Sequence, residues 1–134
     1  MTVDGSALSN EDLSVSITDD DLVVRATIDR ADQRNALNQA VLDGLVAVLE
    51  AAHRSSTRVV VIRGADGTFS AGGDLAEMPI GGQAQDYRDG FAGLARLINQ
   101  LHATSALTVA AVEGYCLAGG LGLATACEFI VASR

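Results

Sequence analysis

No lysine occurs in this chain, so all nine of its strongly basic side chains are arginines. That absence removes Schiff-base chemistry and leaves phosphate recognition to arginine and the backbone. The arginines are scattered and the formal net charge is −8. No basic patch can be assembled from them, which excludes nucleic acid as a partner. Cysteine is also scarce. Cys116 and Cys127 lie inside apolar segments without metal-ligand spacing, so they read as reduced structural thiols and no metal site is expected. Apolar runs stay well short of the ~20 residues that a membrane span needs. The start, Met1-Thr2-Val3-Asp4-Gly5, lacks the basic-then-apolar order of a secretion signal. The expectation is a cytoplasmic protein with no membrane partner. The single proline, Pro79, punctuates a loop that runs to Gly82.

What is present fits one domain. The chain has 134 residues and 49% of them are apolar, enough for a core and too many for disorder. Residues 1–12 are polar and aperiodic and read as a flexible tail, with one domain over residues 13–134. Leu13, Val15 and Ile17 alternate with polar residues, as do Val24, Ala26 and Ile28. The Asp19-Asp20-Asp21 cluster between these runs suits a hairpin turn. Asn38 is a candidate N-cap for a helix through His53, with Val41, Leu45, Val48 and Leu49 on one face. Gly44 inside that helix costs about 1 kcal/mol relative to alanine, which implies close packing there.

Val59 to Ile62 is continuously apolar and β-branched, as a strand covered on both faces should be. Gln85 to Leu101 reads as a second long helix, with a stripe formed by Tyr87, Phe91, Leu94, Ile98 and Leu101. A buried strand over Thr108 to Val112, a short helix over Gly119 to Thr125 and a last strand over Phe129 to Ala132 complete an α/β pattern.

Two glycine-rich turns follow strands: Phe69-Ser70-Ala71-Gly72-Gly73-Asp74-Leu75 and Gly114-Tyr115-Cys116-Leu117-Ala118-Gly119-Gly120-Leu121-Gly122. Glycines expose backbone N–H groups, and a helix start adds the positive end of its dipole. Two such turns can aim two N–H groups at one oxygen, an arrangement suited to a thioester carbonyl moving toward an enolate. Phosphate-binding alternatives fail. Gly114 to Gly119 has the spacing that opens a P-loop, but Gly120-Leu121 stand where Lys and Ser or Thr must be. Gly120-Leu121-Gly122-Leu123-Ala124-Thr125 only approaches a dinucleotide fingerprint.

Five blocks in order resemble the crotonase (enoyl-CoA hydratase/isomerase) superfamily. They are Asp32 to Asn38, Val59 to Gly64, Phe69 to Met78, Ala110 to Ala124 around its glycines, and Ala126 to Ser133. The resemblance implies a crotonase-type ββα spiral, of which the chain carries the N-terminal half. It implies that the N–H groups of Gly73 and Gly119 form the oxyanion hole. It also implies that Ala71, Asp74, Leu75 and Ala76 run along the adenine and pantetheine, and that Arg34 meets a CoA phosphate. Coenzyme A then enters as part of the substrate, with no separate cofactor.

Asp74 has an equal alternative as the cap of a following helix, and Arg34 as a solvated loop residue. The resemblance also implies a homo-oligomer, a trimer or hexamer as in the family, or assembly with a complementary chain. Crotonase domains are much longer than this chain, so the expectation is a fragment, a truncated product or a half completed by a partner chain, and not a stable monomer.

The resemblance also breaks. Hydratases carry a glutamate where this chain has Gly122, and their second glutamate falls beyond Arg134. Isomerases and aroyl-CoA dehalogenase-like members look similar at this position and keep their acid or nucleophile later. The implied chemistry is acyl-CoA binding with a thioester enolate, and hydratase or isomerase activity if a later acid is supplied. The alternative is a non-catalytic acyl-CoA-binding protein or a structural half-domain. Glu113 reads as a turn residue, Glu128 as a cap or buried hydrogen-bonding carboxylate, His53 as a helix-end surface residue and His102 as a loop residue.

Overall fold

The structure is a computed structural model that describes residues 2–18, 20–77 and 81–134; of Tyr87, Asp89 and Gly90 it describes the backbone. Asp19 of the hairpin cluster and the Pro79 loop position therefore lie outside the described residues, as does the Tyr87 side chain of the helix stripe.

Alternating apolar residues build the first two strands. β1 (Leu13–Ile17) and β2 (Val23–Ile28) pair antiparallel with Val15 opposite Ala26. This places Leu13, Val24, Ala26 and Ile28 in the core with no exposed surface. β3 (Val59–Gly64), β4 (Leu107–Val112) and β5 (Phe129–Ala132) then add in parallel, giving one five-stranded sheet in chain order. Parallel neighbours need crossover segments. α2 (Gln39–His53), α3 (Ala84–Ala103) and α4 (Gly119–Ala126) supply them.

Capping and packing explain α2. The Asn38 side chain accepts from the Val41 N–H at 2.9 Å and donates to Asp12 at 2.8 Å. Val41, Leu45, Val48 and Leu49 are wholly buried. A β-carbon on Gly44 would stand 2.7 Å from Leu13 Cδ2, so the helix lies against β1 where glycine permits.

Other expectations change. The tail holds one helical turn, α1 (Gly5–Leu8), because Asp4 accepts from the N–H groups of Ser6 and Ala7. In α3 the buried core residues are Leu101, as expected, and Leu97, one residue before Ile98 of the expected stripe, whereas Phe91 is 54% exposed. His102 belongs to α3 and not to a loop. His53 is exposed, and its Nδ1 accepts from the Ser105 N–H at 3.1 Å. Glu128 is exposed, which removes the buried-carboxylate reading. β5 lies at the sheet edge, with Phe129, Ile130 and Val131 at least half or nearly half exposed. No helix among the described residues is long and apolar enough to cross a membrane.

Candidate functional site

Three loops meet beyond the carboxyl ends of β2, β3 and β4, the edge of a parallel sheet where ligands bind. Backbone pairing holds them together. The first loop joins the second through Ala71 N–H to Arg34 O (3.0 Å) and Leu37 N–H to Gly72 O (2.7 Å). The second joins the third through Ser70 N–H to Tyr115 O (2.9 Å) and Leu117 N–H to Ser70 O (3.0 Å). Buried Asn35 clamps the assembly: its side chain accepts from Arg30 N–H and donates to the carbonyls of Ala65 and Thr68.

The two glycine turns thereby become neighbours. Gly72 has φ +114°, which a side chain rarely adopts, and a β-carbon there would lie 3.3 Å from Gly119 N. A β-carbon on Gly119 would lie 3.6 Å from Gly73 N. Neither the Gly73 nor the Gly119 N–H has an acceptor among the described residues. Ala118, between them, holds φ 48° and ψ −120°, a strained conformation for a residue with a β-carbon.

Both glycines line one cavity of about 390 Å³. Leu37, Leu42, Phe91 and Leu94 form its apolar wall, and Gln39 and Glu77 bring polar groups to it. A second groove of about 620 Å³ adjoins it, sharing Gly73, Asp74 and Ala118. All five residues expected to follow a nucleotide tail line this second groove: Arg34, Ala71, Asp74, Leu75 and Ala76.

Their roles divide. The N–H groups of Ala71 and Ala76 are taken, by Arg34 O and Asp74 Oδ1. The Ala71 carbonyl receives no hydrogen bond from the described residues. Leu75 is 77% exposed. Asp74 is committed within the chain: Oδ2 accepts from Arg30 at 3.0 Å and Oδ1 from Ala76 N–H at 2.9 Å. Residues 75–77 form a turn, so Asp74 closes that turn instead of capping a helix. The exposed Arg34 guanidinium stands 5.8 Å over the Tyr115 ring, within cation–π range. Glu113, Glu128, His53 and His102 line neither space.

Gly122 needs no glycine for packing, since a β-carbon there meets nothing within 4 Å. The cavity wall of Leu37, Leu42, Phe91 and Leu94 was not legible as a site in the sequence. Phe91 and Leu94 read there as core positions, and only the exposure of Phe91 separates wall from core.

Fold and site together define an α/β protein with two adjoining cavities at the carboxyl edge of a parallel sheet, beside two glycine turns. The chain belongs to the enoyl-CoA hydratase/isomerase family, whose model matches residues 19–134. It is 40% identical over 113 residues to a 2,3-dehydroadipyl-CoA hydratase of Escherichia coli, covering 84% of this chain and 43% of that protein. It is 32% identical over 128 residues to a 4-chlorobenzoyl coenzyme A dehalogenase of Arthrobacter, covering 92% of this chain and 46% of that one.

Among solved structures, Pseudomonas aeruginosa AtuE superposes with a TM-score of 0.84 at 37% identity, over 92% of this chain and 48% of that one. The architecture is accordingly the N-terminal half of the crotonase fold. The chain spans less than half the length of these relatives.

Proposed function

We propose that this chain binds acyl-CoA thioesters and polarises the thioester carbonyl toward an enolate. The observation that carries this reading is the pair of N–H groups, on Gly73 and Gly119, that have no acceptor among the described residues and lie at the junction of two spaces. A cavity of about 390 Å³ falls within the range of roughly 300–1,000 Å³ usual for small-molecule sites. Its apolar wall suits an acyl group. The adjoining groove suits the pantetheine and nucleotide, with the Ala71 carbonyl as an acceptor and Arg34 as the cation for a phosphate. Coenzyme A is then a substrate part and no separate cofactor is invoked. Two N–H donors aimed at a developing oxyanion each stabilise it by about 2.7–4 kcal/mol.

Gly122 has no carboxylate with which to activate water, so enolate formation is the step this half of the fold supports and hydration is not. Calorimetry with a medium-chain enoyl-CoA and the matching free acid tests the binding. Tighter binding of the thioester is expected, and equal affinity for the two overturns the reading.

A second reading rests on β5. Phe129 is 56% exposed and Val131 63% exposed on an edge strand, which invites pairing with another chain. On this reading the chain is a half-domain that works with a complementary partner or as a homo-oligomer. A compact monomer by sedimentation at high concentration counts against it.

A further inference from the structure

We propose that Glu77 is the base that removes the Cα proton of the bound thioester. This rests on the acyl-CoA reading above and adds the proton acceptor that reading lacks. Two carboxylates line the cavity shared by Gly73 and Gly119: Asp74 and Glu77. Asp74 has both oxygens occupied, by Arg30 and by the Ala76 N–H.

Glu77 differs. Its Oε2 accepts from the Gln39 N–H, the first of α2, at 2.9 Å, which fixes the carboxylate beside the cavity. Its Oε1 has no partner among the described residues. The residue is exposed, so a proton it takes up can be traded with water. Among the described residues, Asp74 apart, no other carboxylate or imidazole lines the cavity: Gly122 carries none and Glu113, Glu128, His53 and His102 lie outside it.

The step balances without a co-reactant. The Cα–H bond breaks and its proton passes to Glu77 Oε1. The electron pair forms a double bond between Cα and the carbonyl carbon, and the carbonyl π pair moves onto oxygen. That oxygen faces the N–H groups of Gly73 and Gly119. Return of a proton from the carboxyl group restores the thioester, and in D₂O the net result is exchange of hydrogen for deuterium at Cα.

The test follows Cα exchange of butyryl-CoA by NMR in D₂O with the 134-residue chain, with calorimetric binding of the same probe. The unaltered chain should exchange well above the buffer rate. Glu77→Gln should slow exchange by at least about 10²-fold, the usual contribution of a positioned base. Its binding should stay unchanged, because the glutamine carbonyl still accepts from Gln39 N–H. Glu77→Asp, which keeps a carboxylate, should retain part of the rate and serves if the glutamine variant does not fold. Exchange by Glu77→Gln at the unaltered rate overturns the proposal. So does an unaltered chain that binds butyryl-CoA without exchanging it, in which case the binding reading survives. A chain that binds no thioester overturns both.

Discussion

Arg30 Nη2 donates to Asp74 Oδ2 at 3.0 Å, with only 9% and 12% of the two side chains exposed. The same guanidinium donates to Ala36 O at 2.8 Å, bonds Gln33 and lies 3.5 Å from Asp12. One buried cation thus ties the end of β2 to the turn that carries Gly73. Removing one member of a buried pair leaves an uncompensated charge, at a cost of about 3–5 kcal/mol. Arg30→Met should lower stability to urea by that amount. Asp74→Asn, which keeps an acceptor for Arg30 and leaves the Asp12 carboxylate 3.5 Å from the guanidinium, should cost clearly less. Equal, small losses from both would show that the pair does not hold the turn.

Gly120 and Gly122 should respond to alanine in opposite directions. A β-carbon on Gly120 would stand 2.4 Å from Ser70 O, backbone against backbone, so the two turns must part. Gly120→Ala should cost roughly 1–3 kcal/mol and weaken thioester binding. At Gly122 nothing lies within 4 Å and the residue is helical. Gly122→Ala should therefore stabilise by up to about 1 kcal/mol. Thermal denaturation of both variants checks the signs.

Burial pushes the Cys127 thiol up to about 11 from an ordinary 9.0, and raises Cys116 as well. Both should label slowly with a thiol reagent at neutral pH in the native state. In the unfolded chain Cys127 loses its proton first, so the native state binds more protons between those values. Stability therefore falls as pH rises from about 9 toward 11, by about 2 kcal/mol relative to a chain without this thiol. Cys127→Ala should remove that part of the alkaline loss. An identical pH dependence in the variant would contradict it.

Gly119→Pro should abolish carbonyl polarisation while leaving thioester binding largely intact. Gly119 is the first residue of α4, where the helix itself tolerates proline, but the Ala118 backbone before it (φ 48°, ψ −120°) must shift to precede a proline, so the comparison uses a variant whose circular dichroism matches the unaltered chain. The readout is the absorbance shift of a chromophoric aroyl-CoA on binding. In Gly119→Ala the added methyl group meets its nearest neighbour, Leu94, at 3.4 Å, so it should fold normally. It keeps the Gly119 N–H and meets Gly73 N only at an ordinary contact distance of 3.6 Å, so it should retain the shift. An undiminished shift in a folded Gly119→Pro protein removes Gly119 from the site.

Local chemistry was enough for much of the framework. The alternation of Val24, Ala26 and Ile28, the β-branched run from Val59 and the Asn38 cap each act on near neighbours in the chain. Strand and helix identities followed from them, as did the positions of both glycine turns. The α1 turn leaves no periodic signal in the sequence, because a single Asp4 side chain creates it.

Tertiary structure decided the rest. Whether Phe91 or Leu97 meets the core depends on the rotation of α3 against α2, which small shifts in packing set and the pattern of apolar residues alone leaves open. Asp74 reads in sequence as a cap or a ligand contact, yet Arg30, distant along the chain, takes its carboxylate. Glu77 faces the cavity because Gln39 N–H holds it there. A cavity is walled by residues far apart in sequence, so its walls exist only once long-range pairing has brought Leu37, Gly73, Leu94 and Gly119 to one place.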